Sequence, residues 1–115
     1  MIARYTGSCH CGSVQFEVDA DVTQSAVCDC SICKRRGAVM LRCNKESLHI
    51  TAGQEHLTLY RFNTMVAEHY FCKICGIYTF HKMRKMPDKL AINSGCLDDV
   101  DIARLQPLFN NGSER

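Results

Sequence analysis

Seven of the nine cysteines in this 115-residue chain stand in three short motifs. Cys9 and Cys11 form C-x-C. Cys28, Cys30 and Cys33 form C-x-C-x-x-C, and Cys72 and Cys75 form C-x-x-C followed at once by Gly76. Thiolates are soft metal ligands and strong nucleophiles, so such clusters either hold an ion or carry redox chemistry. The segment Phe71-Cys72-Lys73-Ile74-Cys75-Gly76 has the make-up of a zinc knuckle. A tight turn lets both sulfurs face one ion while backbone N–H groups point at them, and Gly76 supplies the positive φ that this needs. A thioredoxin-like redox pair would sit in a βαβ setting, and the flanking pattern is of another kind. A knuckle takes its second ligand pair from elsewhere in the chain. Pairing Cys72 with a residue as distant as Cys11 would clip the N-terminal region to the C-terminal half, and loop length adds little to the entropic cost of that closure.

Seven clustered cysteines divide naturally into four and three. A four-cysteine zinc site is closed and structural, whereas three ligands leave the fourth position to water or substrate, as in catalytic zinc sites. The triplet Cys28-Asp29-Cys30-Ser31-Ile32-Cys33 has the three-ligand form. Three thiolates on Zn²⁺ carry a net charge of −1, which weakens the ion as a water activator and suits an incoming thiol. The competing reading closes the site with Cys43, Asp29 or a histidine. Cys43 and Cys96 themselves have no ligand-like spacing and read as small packing residues.

A histidine is the side chain best matched to proton donation near pH 7. His10 lies between two cysteines of the first motif, His69 precedes the knuckle, His81 follows it, and His49 and His56 flank Gly53. Surface or packing roles are the commoner fate of each. His81 is the preferred donor, and none is assigned as catalytic.

The elements that must position these residues are short. Residues 14–18 alternate apolar and polar as a half-buried strand does, so the C-x-C falls in the turn before it. The run around Cys28 reads as a loop, and residues 34–37 as a turn. Residues 38–42, 48–53, 57–62 and 90–93 read as strands, and residues 68–71 and 77–81 as the arms of a hairpin around the knuckle. Strong helical periodicity is absent. The pattern predicts a mainly β fold, one small domain over residues 1–115 with short antiparallel strands, its tail frayed from residue 107.

Composition agrees. Hydrophobic residues are 46% and charged residues 23%, which is globular rather than disordered. No stretch has the length and apolarity of a membrane span, so no membrane partner is expected. Residues 1–7 lack the apolar core of a secretory signal, which points to the cytoplasm. A reducing cytosol turns clustered cysteines toward metal rather than disulfides. The formal charge of +2 is too small to argue for nucleic acid, and two Zn²⁺ on seven thiolates would take it to −1.

The sequence resembles the glutathione-dependent formaldehyde-activating enzyme family, which includes centromere protein V-like proteins. The resemblance rests on Gly7-Ser8-Cys9-His10-Cys11-Gly12 with Val14 and Phe16, on the Cys28–Cys33 triplet, and on Phe71-Cys72-Lys73-Ile74-Cys75-Gly76. Gly37-Ala38 and Asn93-Ser94-Gly95-Cys96-Leu97-Asp98 add smaller echoes. The resemblance implies a β-tent fold with two zinc ions per chain. Cys9, Cys11, Cys72 and Cys75 then match the structural zinc ligands, and Cys28, Cys30 and Cys33 the catalytic zinc ligands. It also implies a carbon–sulfur lyase that joins or splits a glutathione-like thiol and a formaldehyde-like aldehyde, as in S-hydroxymethylglutathione synthesis.

Two other functions compete. A zinc-stabilised binding module would use the basic runs Lys34-Arg35-Arg36 and Lys82-Met83-Arg84-Lys85 with Lys89. Stacking aromatics are not interleaved with them, so nucleic acid is disfavoured as a partner. A zinc–thiolate redox sensor would release its ion on oxidation, with Cys43 or Cys96 as partner sulfur. The sequence leaves the oligomeric state open.

Overall fold

The C-x-C motif opens a hairpin. Strand β1 (Ala3–Ser8) runs into the turn that carries Cys9 and Cys11, and β2 (Gln15–Ala20) returns antiparallel, with Gly7 opposite Phe16. Phe16, Val18 and Ala20 are buried and their neighbours are not, so period-two alternation sets which face meets the core. Strand β5 (Leu48–Ala52) lies on the other side of β2 and completes a three-stranded sheet in the order β1-β2-β5. The computed structural model describes residues 1–110.

A second sheet has seven strands. It contains β3 (Ser25–Cys28), β4 (Met40–Asn44), β6 (Leu57–Tyr60), β7 (Glu68–Cys72), β8 (Tyr78–Lys82), β9 (Lys89–Asn93) and β10 (Leu108–Asn110), in the order β10-β3-β4-β9-β8-β7-β6. All pairs are antiparallel except β10 with β3. The core forms between the sheets. Phe16, Val18 and Ala20 of the small sheet pack with Leu41, Cys43, Phe80, Leu90 and Ile92 of the large one, closed by Cys96 and Leu97. The fold is mainly β, as the short alternating segments predict.

Gly53, at φ +79, lies against the first cysteine motif. A Cβ there would meet the Ser13 carbonyl oxygen at 1.8 Å, so only glycine lets the β5 end close on the turn that presents Cys9 and Cys11.

Three expectations need correction. The segment after Cys30 is a short helix, α1 (Ser31–Arg36), where a loop and a turn were expected. Six residues are too few to show apolar periodicity, and none of them is buried. β3 occupies part of the supposed loop around Cys28. The tail does not fray at residue 107, because Leu108–Asn110 pairs with Ala26, Val27 and Cys28. Backbone hydrogen bonds can hold an edge strand whose side chains stay exposed, as Leu108 and Phe109 do. The expectation for residues 111–115 lies outside the described residues. Among the described residues no helix is long and apolar enough to cross a membrane.

Candidate functional site

The seven clustered cysteines come together as two groups. In each, one sulfur per residue lies within 4.8 Å of every other. Cys9, Cys11, Cys72 and Cys75 form the first group and Cys28, Cys30 and Cys33 the second.

The quartet joins two turns. Cys9 and Cys11 come from the β1–β2 turn, and Cys72 and Cys75 from the β7–β8 turn. In the second turn the Gly76 N–H donates to the Cys72 carbonyl at 2.8 Å, and Gly76 stands at φ +80. The Ile74 N–H reaches Cys72 Sγ at 3.4 Å and the Val14 N–H reaches Cys9 Sγ at 3.3 Å. The Cys9–Cys11 and Cys11–Cys72 sulfur separations are 3.6 and 3.8 Å. Four sulfurs placed tetrahedrally about 2.3 Å from a common ion stand about 3.8 Å apart. The donor set therefore fits a tetrahedral metal ion. Hydrogen bonding pulls the Cys75 thiol down to about 6, the Cys11 backbone contributing most. Burial raises that of Cys9.

The triplet spans a strand end and a helix start. Cys28 ends β3, Cys30 is the N-cap of α1, and Cys33 lies in the first helical turn. The Cys30 N–H donates to Cys28 Sγ at 3.4 Å. All three are half-buried. Burial pushes the Cys33 thiol up to about 12. Among the described residues the group stops at three. Cys43, one of the fourth ligands considered, is buried in the main core with Cys96.

The triplet opens onto a cleft of about 400 Å³, and no member of the quartet lines it. Arg42, Arg84 and Lys85 bring positive charge to its wall, and Phe62, Met83 and Met86 bring apolar surface. His69 and His81 line it too. They are register partners across β7 and β8, with ring centroids 5.1 Å apart. Burial, then the nearby Arg36 cation, pulls His69 down to about 4 and His81 to about 3, so both rings are neutral at pH 7.

A family model for the glutathione-dependent formaldehyde-activating enzyme matches residues 4–110. The chain belongs to that family. A crystal structure of a Rhodobacter sphaeroides protein is also similar, with 39% sequence identity and a TM-score of 0.88 over 91% of this chain and 99% of that one. The matched residues include both cysteine groups and all those that line the cleft.

The remaining histidines stand apart from the cleft. His10 and His49 are exposed, and His56 is half-buried beside Glu55 at 3.4 Å. Sequence reasoning missed Arg36 and Tyr78. The Arg36 guanidinium lies 3.5 Å over the Tyr78 ring, reaches Cys33 Sγ at 3.5 Å and reaches His69 Nδ1 at 3.2 Å. The i, i+3 spacing of Cys33 and Arg36 would have signalled that contact had the helix been legible.

Proposed function

We propose that this chain is a zinc-dependent enzyme that forms or splits the adduct of a glutathione-like thiol and a formaldehyde-like aldehyde. The observation that carries the reading is the asymmetry between the two sulfur groups. All three cysteines of the triplet line one cleft sized for a small molecule, whereas of the quartet only Cys9 borders a second, more open hollow. Cys9, Cys11, Cys72 and Cys75 would hold a structural zinc, and Cys28, Cys30 and Cys33 a second zinc at the reacting centre. Bound there, zinc would supply the Lewis acidity that lets a thiol react as thiolate near neutral pH.

The residues of the chain do the rest. Arg42, Arg84 and Lys85 give the cleft the charge to bind the carboxylates of a peptide thiol. Phe62, Met83 and Met86 give the same cleft an apolar wall that would exclude water around a bound substrate. Holding thiol and aldehyde together converts a bimolecular addition into an effectively unimolecular one. The balance is simple: the S–H bond breaks, a C–S bond forms, and the carbonyl becomes a hydroxyl that takes up the proton. The reverse reaction is a carbon–sulfur lyase. Arg42, Arg84 and Lys85 share one cleft with the triplet, which favours a small anionic substrate over a nucleic-acid partner.

The test pairs metal analysis with NMR exchange spectroscopy of glutathione and formaldehyde. Wild type should carry two zinc ions per chain and accelerate exchange between free thiol and adduct. Cys30→Ser should lose one zinc and the acceleration while keeping its β-rich circular dichroism. Full zinc and full rate in Cys30→Ser would overturn the assignment of the triplet.

A further inference from the structure

We infer that His69 and His81 form a paired hydrogen-bond donor for the aldehyde oxygen, each ring held in the tautomer that carries its proton on Nε2. The inference rests on the thiol–aldehyde reading above and adds the residues that act on the oxygen.

The tautomers follow from the partners. A guanidinium has only donors, so Arg36 Nη1, 3.2 Å from His69 Nδ1, must donate to it. His69 Nδ1 is then a lone pair, and the proton of the neutral ring sits on Nε2. Tyr78 leads to the same result at His81. Its hydroxyl pairs with His81 Nδ1, and burial raises the phenol so that it stays protonated. A buried O–H needs an acceptor, and Nδ1 is the one it has. Burial keeps both rings uncharged, so neither is an ammonium-like acid at pH 7. Each is a fixed N–H dipole.

The placement is the second part. His69 is 5% exposed, and its Nε2 is buried with no hydrogen-bond partner among the described residues. An unpaired buried donor is costly, and it is explained where a ligand oxygen completes it. Phe62, which stacks on His69 at 5.6 Å, shares the cleft wall with both histidines. The guanidinium that sets the His69 tautomer also touches Cys33 Sγ at 3.5 Å, which ties the donor pair to the triplet through one rigid group. As the C–S bond forms, the carbonyl π electrons move onto oxygen. Two N–H groups donating to that oxygen would stabilise the charge without giving up a proton, and the proton released by the thiol then completes the hydroxyl. His69 and His81 are thus catalytic residues, and Arg36 and Tyr78 are positioning residues.

The experiment uses full-length, zinc-loaded protein with glutathione and formaldehyde. His81→Phe should lower kcat about 100-fold with little change in KM, and His69→Phe should act in the same direction. His81→Gln keeps an N–H near the Nε2 position and should recover most of the rate. Tyr78→Phe should lower kcat about ten-fold, and ¹⁵N spectra should show His81 shifting to a mixture of tautomers while zinc content stays at the wild-type level. An active wild type with His81→Phe and His69→Phe at the same rate overturns the inference and leaves the function standing. A wild type that does not accelerate exchange overturns the function and the inference with it. Where a phenylalanine variant fails to fold, the ¹⁵N spectrum of wild type decides: protons on both Nε2 atoms support the pair, and a proton on either Nδ1 overturns it.

Discussion

Cys43 and Cys96 are each 7% exposed and share the main core with Leu41, Ile92 and Leu97. Burial raises both thiols to about 11, so they are neutral packing atoms at pH 7. This removes the partner sulfur that a redox sensor would need near the triplet. Cys96→Ala should cost about 1 kcal/mol of stability through a small cavity and leave zinc per chain unchanged. Leu41→Ala, at a fully buried position on the central strand pair, should cost about 2–5 kcal/mol. Denaturant titration with elemental analysis reads both. The clustered cysteines were legible as ligand candidates because metal spacing is a local pattern. Arg36 and Tyr78 were not, because their roles depend on contacts between α1 and the β7–β8 hairpin that sequence spacing does not encode.

At the scale of elements, strands whose two faces differ were legible. β2 announces itself by alternation, β6 by its β-forming residues, and β7 and β8 as the arms on either side of the knuckle, whose glycine follows its second cysteine. β1 and β10 did not, because β1 buries only Gly7 and β10 buries no residue. Their pairing partners define them, and pairing is not visible in a segment read alone. The β7–β8 pair carries a pH consequence. Arg36 from α1, Tyr60 and Phe62 from the β6 side, and Tyr78 on β8 surround the two histidines and supply no carboxylate. The folded pKa values, about 4 and about 3, lie below the unfolded value near 6.5. Unfolding therefore takes up protons, and this stabilisation is full above pH 6.5 and declines as pH falls toward 4. Each histidine contributes at most about 1.4 kcal/mol per pH unit in that window. His81→Phe should flatten the slope relative to wild type. Urea titrations of both proteins across pH 4–7 measure the difference, and the thiolates common to both cancel.

For the whole molecule, the quartet is the tie between the sheets. It brings the turn of the small sheet against the turn of the β7–β8 hairpin, Cys11 and Cys72 being 61 positions apart in the chain. A structural zinc contributes its binding energy to folding. Cys75→Ser should therefore abolish the cooperative melting transition, whereas Cys30→Ser should keep one. Circular dichroism melts of the two variants check this, and a strong chelator added to wild type should reproduce the first result. The core between the sheets was legible only as a list of apolar residues. Which sheet each joined depends on the order β10-β3-β4-β9-β8-β7-β6, and no local pattern states it.

The triplet lies wholly inside the loop that the quartet closes. Its three sulfurs emerge from the ribosome within six residues, long before Cys72 and Cys75 exist to complete the other group. On the proposed reading, metal capture would begin at the local cluster, while the long-range clip would wait for the hairpin. β10, which pairs with the strand carrying Cys28, arrives later still. Chain order alone would then have the triplet filled first and locked last.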